Sequence, residues 1–301
     1  MEEDKLVIQQ VLEERFQGHG TRKRLYLELE NEVGVPIISF FTSFTYAVTI
    51  EDNDADMLEG VLQKCDLSKG FALLLSSPGG SGLAAERITN ICRSYSGTGE
   101  YTVIIPGKAK SAATMICLGA FKLIMGKTSE LGTIDPQRVV EENGVVKWFS
   151  IFNLIRSYED LFEKAVKEKG NLQPYIQQLA NYDEREIAEF KSALSLSEDI
   201  AIKALKTGML SNLSEDEIKE QIKIFLTPEK VKVHGRPIYA QGALDCGLSV
   251  DIKDVKERFW SLVYELYVRL NNYVSTNNVV KCVECKDYSF RATRATVGGK
   301  S

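Results

Sequence analysis

An α/β fold built on a parallel sheet is predicted by three features of this 301-residue sequence. Short apolar runs recur at Phe71–Leu75, Tyr101–Ile105 and Leu123–Met125. They are apolar throughout rather than alternating, as strands covered on both faces are. Helix-period residues or a glycine-bearing turn follow each run, so strand, turn and helix alternate along the chain. In sheets of this kind the loops at the carboxyl ends of the strands hold the chemistry, and both Gly79-Gly80 and Ser111 fall at such ends.

Before this core, Lys5–Phe16 carries Leu6, Val7, Val11 and Leu12 at helical spacing and ends at a His-Gly-Thr break. Leu25–Leu29 and Val35–Phe41 read as short strands, with Asn31, Glu32 and Gly34 suiting a turn between them. Asp52, Asp54 and Asp56 lead into Met57, Leu58, Val61 and Leu62, a helix with acids at its positive end. After the third apolar strand, Glu141-Glu142-Asn143-Gly144 turns between two strand-like pieces, and residues 150–226 are helical in pattern. Ala243–Leu248 returns to the core, and a final helix over Val255–Tyr273 precedes a polar tail. The expected organisation is an N-terminal helix (1–20), an α/β domain (21–254) with a helical annex at about 150–226, and a C-terminal helix with a flexible tail (255–301).

Composition narrows the function classes. The net charge of −5 and the absence of a basic stripe exclude a phosphate-neutralising nucleic-acid binder. The start Met-Glu-Glu-Asp-Lys lacks a basic n-region, and no apolar run reaches the ~20 residues needed to span a bilayer, so the expected location is cytoplasmic. Six scattered cysteines are then expected as thiols. Cys282 and Cys285 have the spacing of half a zinc site, but no second pair completes four ligands within the chain, so no metal or other cofactor is expected unless two subunits share a site.

Two segments carry chemistry. Ser77-Pro78-Gly79-Gly80-Ser81-Gly82 lies between a buried strand and a helix, where glycines free backbone N–H groups for an anion or a developing oxyanion. A plain tight turn is the blander reading, and the G-x-G-x-x-G dinucleotide fingerprint is absent. Lys110-Ser111-Ala112-Ala113-Thr114 opens a helix directly after a strand. Ser111 there is either an exposed nucleophile or a helix N-cap, and the pairing with the upstream glycine loop favours the nucleophile. His234-Gly235-Arg236 is read as structural, and Gly299-Lys300-Ser301 imitates the end of a P-loop without its leading glycine or following helix.

These segments, with Leu131-Gly132-Thr133-Ile134-Asp135-Pro136-Gln137, Asp199–Leu205 and Ala243–Val250, occur in the order and spacing of the serine dehydrogenase proteinase family, which they resemble over roughly residues 35–250. That family is similar to signal peptide peptidase A and belongs to the Clp protease/crotonase superfamily. The resemblance implies a Clp/crotonase-like spiral of ββα units, a polypeptide substrate, hydrolysis through an acyl-enzyme, and homo-oligomers. Carried over by position, Ser111 is the nucleophile, and the N–H groups of Gly80 and Ala112, with Gly79 shaping the loop, form the oxyanion hole.

A Clp-type triad would need a histidine after the nucleophile helix, yet the chain has only His19 and His234, and neither is there. A Ser-Lys dyad is the alternative, and its lysine must be neutral, hence buried or beside other cations. Lys203, flanked by Ile200, Ala204 and Leu205, is favoured over Lys164, Lys167 and Lys169. The expected activity is therefore that of an ATP-independent serine endopeptidase. Two other readings compete: a non-catalytic Clp-like scaffold or partner-binding component, and a crotonase-like acyl-thioester enzyme using Asp135 as base. Phe259, Trp260, Leu262, Val263, Leu266 and Tyr267 give the last helix an apolar face suited to a subunit interface or to intramolecular core.

Overall fold

The computed structural model describes residues 5–14, 17–142, 145–227, 235–276 and 278–294. His234 and the segment Gly299-Lys300-Ser301 lie outside the described residues. Helices α1 (Val7–Glu13) and α2 (Lys23–Val33) lead into strand β1 (Ile37–Thr42). There follow α3 (Asp52–Leu62), β2 (Phe71–Ser76), α4 (Gly82–Tyr95), β3 (Tyr101–Ile105), β4 (Lys108–Ala109), α5 (Ala112–Leu118), β5 (Lys122–Gly126) and β6 (Glu130–Leu131). A hairpin of β7 (Gln137–Glu142) and β8 (Val145–Ser150) then opens the helical annex. The annex comprises α6 (Ile151–Lys167), α7 (Gln173–Leu179), α8 (Glu184–Lys206), α9 (Glu215–Gln221) and α10 (Lys223–Leu226). Strands β9 (Ile238–Tyr239) and β10 (Val250–Lys253) return to the core, and a C-terminal helix Arg258–Thr276 precedes β11 (Val279–Glu284) and β12 (Ser289–Thr293).

The main sheet runs β10-β5-β3-β2-β1-β11-β12. Its first five strands are mutually parallel, as their continuous apolar character predicts, while β11 and β12 extend the edge in antiparallel fashion. Every residue of β1 and β2 is buried. On one face Ile38, Leu73 and Val103 pack with α3, α4, α5 and α8 through Leu58, Ile88, Ile116 and Ala201. On the other, Ile37, Leu74 and Ile104 pack with α2 and the C-terminal helix through Leu25, Leu29, Val263 and Leu266. The apolar face of the last helix is thus intramolecular core. A second sheet, β4-β6-β9, stands at the carboxyl end of the first, and a bridge between Ser77 and Ala109 joins the two.

Two expectations change. Residues 25–29 are helical, because Leu25, Tyr26 and Leu29 share one buried face at helical spacing while the residues between them are charged or exposed. The segment expected as a flexible tail supplies β11 and β12, with β11 buried along its whole length. Its polar residues are satisfied inside the protein. Arg22 donates through Nε (2.6 Å) and its terminal nitrogen (2.8 Å) to the two carboxylate oxygens of Glu284, and both side chains are fully enclosed. Tyr26 (3.1 Å) and Ser289 (2.9 Å) donate to the same carboxylate. On the other face of the sheet Lys281 reaches Asp54 at 2.8 Å.

An enclosed, bidentate pair contributes little relative to an apolar substitute, but losing one partner strands a buried charge. Glu284→Gln is therefore expected to destabilise the protein by about 3–5 kcal/mol in urea denaturation. The double variant Arg22→Met/Glu284→Leu should lose much less. Equal losses in the two would contradict the pairing.

Candidate active site

Strand β2 runs out at Ser76, and the chain continues through Ser77 and Pro78 to Gly79 and Gly80 before α4 begins. Ser77 binds the neighbouring loop on both sides. Its N–H donates to Lys108 O at 3.1 Å, and its carbonyl accepts from Lys110 N at 3.0 Å. The Ser77 hydroxyl accepts the N–H of Gly79 at 3.1 Å, tightening the turn. Gly79 has φ +102, and a Cβ there would lie 2.5 Å from Lys110 O and 2.7 Å from Ser111 Cβ. Only a glycine fits this conformation and this approach. Ile50 then clasps the loop, donating its N–H to Gly79 O at 2.7 Å and accepting from Ser81 N at 2.9 Å. A Cβ on Gly80 would fall 2.3 Å from Ile50 O.

Ser111 sits between β4 and α5 with φ 48 and ψ −118, a backbone conformation that non-glycine residues rarely hold. Its hydroxyl makes no capping hydrogen bond to α5, so the N-cap reading of this serine fails. The side chain is half-exposed while Ala112 to Leu118 are buried beneath it. Neither Gly80 nor Ala112 donates its N–H to a backbone acceptor among the described residues. The third loop closes on the first two through Thr114, whose hydroxyl donates to Ala109 O (2.8 Å) and accepts from Gly132 N (3.0 Å). Lys110 joins them by donating to Leu131 O (3.1 Å) and pairing with Glu130 (2.9 Å).

The structure thus brings together Gly79, Gly80, Ser111 and Ala112. It does not bring Lys203 to them. Lys203 lines a separate cleft with Glu86, Asn90, Arg93 and Thr207, its side chain 62% exposed and paired with Asp199 at 2.7 Å. The hydrogen bond from Lys203 to the Asp199 carboxylate raises its pKa above the usual lysine value, the condition of a charged surface lysine rather than a neutral base. Lys164 lies on α6 beside Asn153, Asp160 and Gln178, Lys167 pairs with Glu163 at 3.0 Å, and Lys169 is exposed beyond the end of α6. Asp135 is buried in a small cleft with Phe152, Leu194 and Glu198, which Ser111 does not line. His19 meets Cys285 O at 2.6 Å, on an element that contributes nothing to the serine loops. Ser77 and Thr114 belong to the two sequence motifs, but their part in locking the loops together shows only in the structure, and Ile50 belongs to no motif. Ile50 joins the site through an isolated bridge outside any strand, which leaves no periodicity to read.

The family model described as ClpP-like SDH-type serine proteinase matches residues 29–148, a span that contains both the glycine loop and Ser111. The uncharacterized protein MJ0137 of Methanocaldococcus jannaschii is 30% identical over 234 residues, covering 78% of this chain and 68% of its own. The chain belongs to the ClpP-like SDH-type serine proteinase family. MJ1495 of the same organism is 33% identical to this SDH-type proteinase over 105 residues, covering 35% of this chain and 32% of its own. A solved variant of the 1510-N membrane-bound stomatin-specific protease, in complex with a substrate peptide, aligns with TM-score 0.29 at 15% identity, covering 73% of this chain and 93% of its own. No helix among the described residues of this SDH-type proteinase is long and apolar enough to cross a membrane.

The strain at Ser111 gives a stability test independent of activity. Ser111→Gly is expected to stabilise the fold by about 1 kcal/mol or more, because glycine adopts φ 48 freely, whereas Ser111→Ala keeps the strain. Gly79→Ala should do the reverse, destabilising by about 2–3 kcal/mol as the new Cβ meets Lys110 O and Ser111 Cβ. Thermal unfolding of the three variants measures all of these effects, and an Ser111→Gly protein no more stable than Ser111→Ala would contradict the strained geometry.

Proposed function

We propose that this serine proteinase is an endopeptidase that cleaves polypeptides through an acyl-enzyme on Ser111. The observation that carries this reading is the combination of a strained, half-exposed, uncapped Ser111 with two unengaged amides, Gly80 N–H and Ala112 N–H, on loops locked to each other. A peptide carbonyl attacked by Ser111 Oγ would place its oxyanion between those amides, fixed dipoles that need no reorganisation as charge develops. Strand-to-helix turns of the nucleophile-elbow kind hold their serine in a similarly strained conformation. The proton of Ser111 goes to a lysine in the Ser-Lys reading. Lys203, the lysine favoured from the sequence, must leave Asp199 and lose its charge to serve. The six free thiols support a reducing, cytoplasmic setting. Assembly into homo-oligomers is supported by the apolar surface of the β7–β8 hairpin, where Val139, Val145, Val146 and Trp148 are 49–59% exposed.

A fluorophosphonate probe is expected to label Ser111, and Ser111→Ala to lower the cleavage of an unfolded protein by about 10⁴-fold or more. Full cleavage by Ser111→Ala would end the proposal. Lys203→Met separates the two parts of the mechanism. A Ser-Lys dyad on Lys203 predicts a loss matching that of Ser111→Ala, with the rate rising with pH as the lysine deprotonates. Retained cleavage in Lys203→Met assigns the base elsewhere and leaves the Ser111 reading intact.

A further inference from the structure

The cysteines not used by the serine site fall into an unexpected arrangement. Cys282 and Cys285, whose spacing suggests half a metal site, lie on opposite sides of the sheet. Cys282 packs with Leu25, Tyr26 and Val279, while Cys285 belongs to the cluster on the α3 side. Cys282 is spent on the Arg22–Glu284 network, its sulfur 3.5 Å from a Glu284 oxygen. Cys285 has a different neighbour. Cys65, just beyond the end of α3, packs against the same cluster, and the two residues line one cavity of about 630 Å³. Lys64, Lys69 and Lys286 line it as well, alongside the acids Glu30, Asp66 and Asp287. Lys286 is held by Glu30 at 2.9 Å and Asp287 by Lys23 at 2.9 Å.

We propose that Cys65 and Cys285 form a peroxide-responsive dithiol, with Cys285 as the attacking thiol and Cys65 as the resolving one. Position and electrostatics divide these roles. The Cys65 thiol, which donates to Val61 O at 3.4 Å, stands near enough to Cys285 to be the first influence lowering the Cys285 thiol, to about 6 against its burial, and the backbone amides of Asp287 and Tyr288 add to the effect. The proximity of Cys285, with burial, pushes Cys65 up. The other thiols, Cys92, Cys117, Cys246 and Cys282, are all raised by burial first. The lowered Cys285 thiol favours the thiolate, the form that attacks a peroxide, and it lines a cavity large enough for a small hydroperoxide.

The chemistry balances with hydrogen peroxide as oxidant. The Cys285 thiolate attacks one peroxide oxygen, the O–O bond breaks, and the departing hydroxide takes a proton to leave as water. Cys285 is then a sulfenic acid, oxidised by two electrons. Cys65 attacks that sulfur, a second water leaves, and the Cys65–Cys285 disulfide remains. Two thiols and one peroxide give one disulfide and two waters. The bond would tie the end of α3 to the end of β11.

The test uses the native chain treated with hydrogen peroxide at pH 7, then alkylated, digested without reductant and analysed by mass spectrometry. The expected product is a linked pair of Cys65 and Cys285 peptides that disappears on reduction. In Cys65→Ser the expected product is a Cys285 sulfenic acid trapped by dimedone, and in Cys285→Ser an unmodified Cys65. Iodoacetamide alkylation of Cys285 in the untreated wild-type protein should rise with pH to a plateau with a midpoint near 6. This profile reads the site even if a variant fails to fold. A Cys282–Cys285 linkage overturns the proposal, as does a Cys285 that alkylates only on unfolding. Because neither cysteine contributes to the serine loops, probe labelling of Ser111 reports separately on the peptidase reading.

Discussion

The approach of backbone to backbone between Gly79 and Ser111 is the constraint on which the candidate site depends. A single methyl group at position 79 would stand within 2.5 Å of Lys110 O. The loops close to this distance because Ser77 trades hydrogen bonds with Lys108 and Lys110, one on each side of Ala109. That exchange continues the parallel pairing of the main sheet into the small one through the bridge from Ser77 to Ala109. Ser111, two residues beyond Ala109, must then turn sharply to enter α5, and its positive φ is the consequence. The strain is maintained by packing, since Ala112 to Leu118 are fully buried and Thr114 pins the start of α5 to Gly132.

The ends of the chain support this arrangement from behind. Strand β11 pairs with β1, and its Lys281 reaches across to Asp54 at the start of α3. Asp54 in turn accepts the N–H of Glu51 at 2.8 Å, the residue next to the Ile50 that clasps Gly79 and Ser81. A continuous set of polar contacts thus runs from the C-terminal strand to the glycine loop. On the opposite face Arg22 and Glu284 lock α2 to β11 through a carboxylate that also accepts from Tyr26 and Ser289. The terminal elements complete the sheet and the shell of the same core.

Much of this was legible in the sequence, and for identifiable reasons. Phe71–Leu75 and Tyr101–Ile105 declare buried parallel strands because each is apolar on both faces, and the glycines after β2 mark the close approach that the fold makes. The serine loop was readable as a strand-to-helix junction because the small residues Ser111, Ala112 and Ala113 open a helix soon after the apolar run Tyr101–Ile105. Three things were hidden. Residues 25–29 read Leu-Tyr-Leu-Glu-Leu, too short a window to separate strand from helix, and the buried face of α2 decides it. The strands β11 and β12 are disguised by Lys281 and Glu284, whose charges are neutralised by partners distant in sequence, and by Arg291, which donates to the Tyr273 hydroxyl. Lys203 looks sheltered by Ile200 and Ala204, but these point into the core while the lysine itself faces Asp199 and solvent. A helix with a buried stripe places its apolar and charged residues side by side in sequence and on opposite sides in space.

The proposed active site rests on geometry: an oxyanion generated at Ser111 would fall between the amides of Gly80 and Ala112. The most direct measurement is a crystal structure of the protein carrying a fluorophosphonate adduct on Ser111. The account predicts one phosphoryl oxygen within about 2.7–3.1 Å of both Gly80 N and Ala112 N, with Ser111 still at positive φ. A phosphoryl group directed away from both amides, or a Ser111 relaxed into a helical conformation, would contradict it.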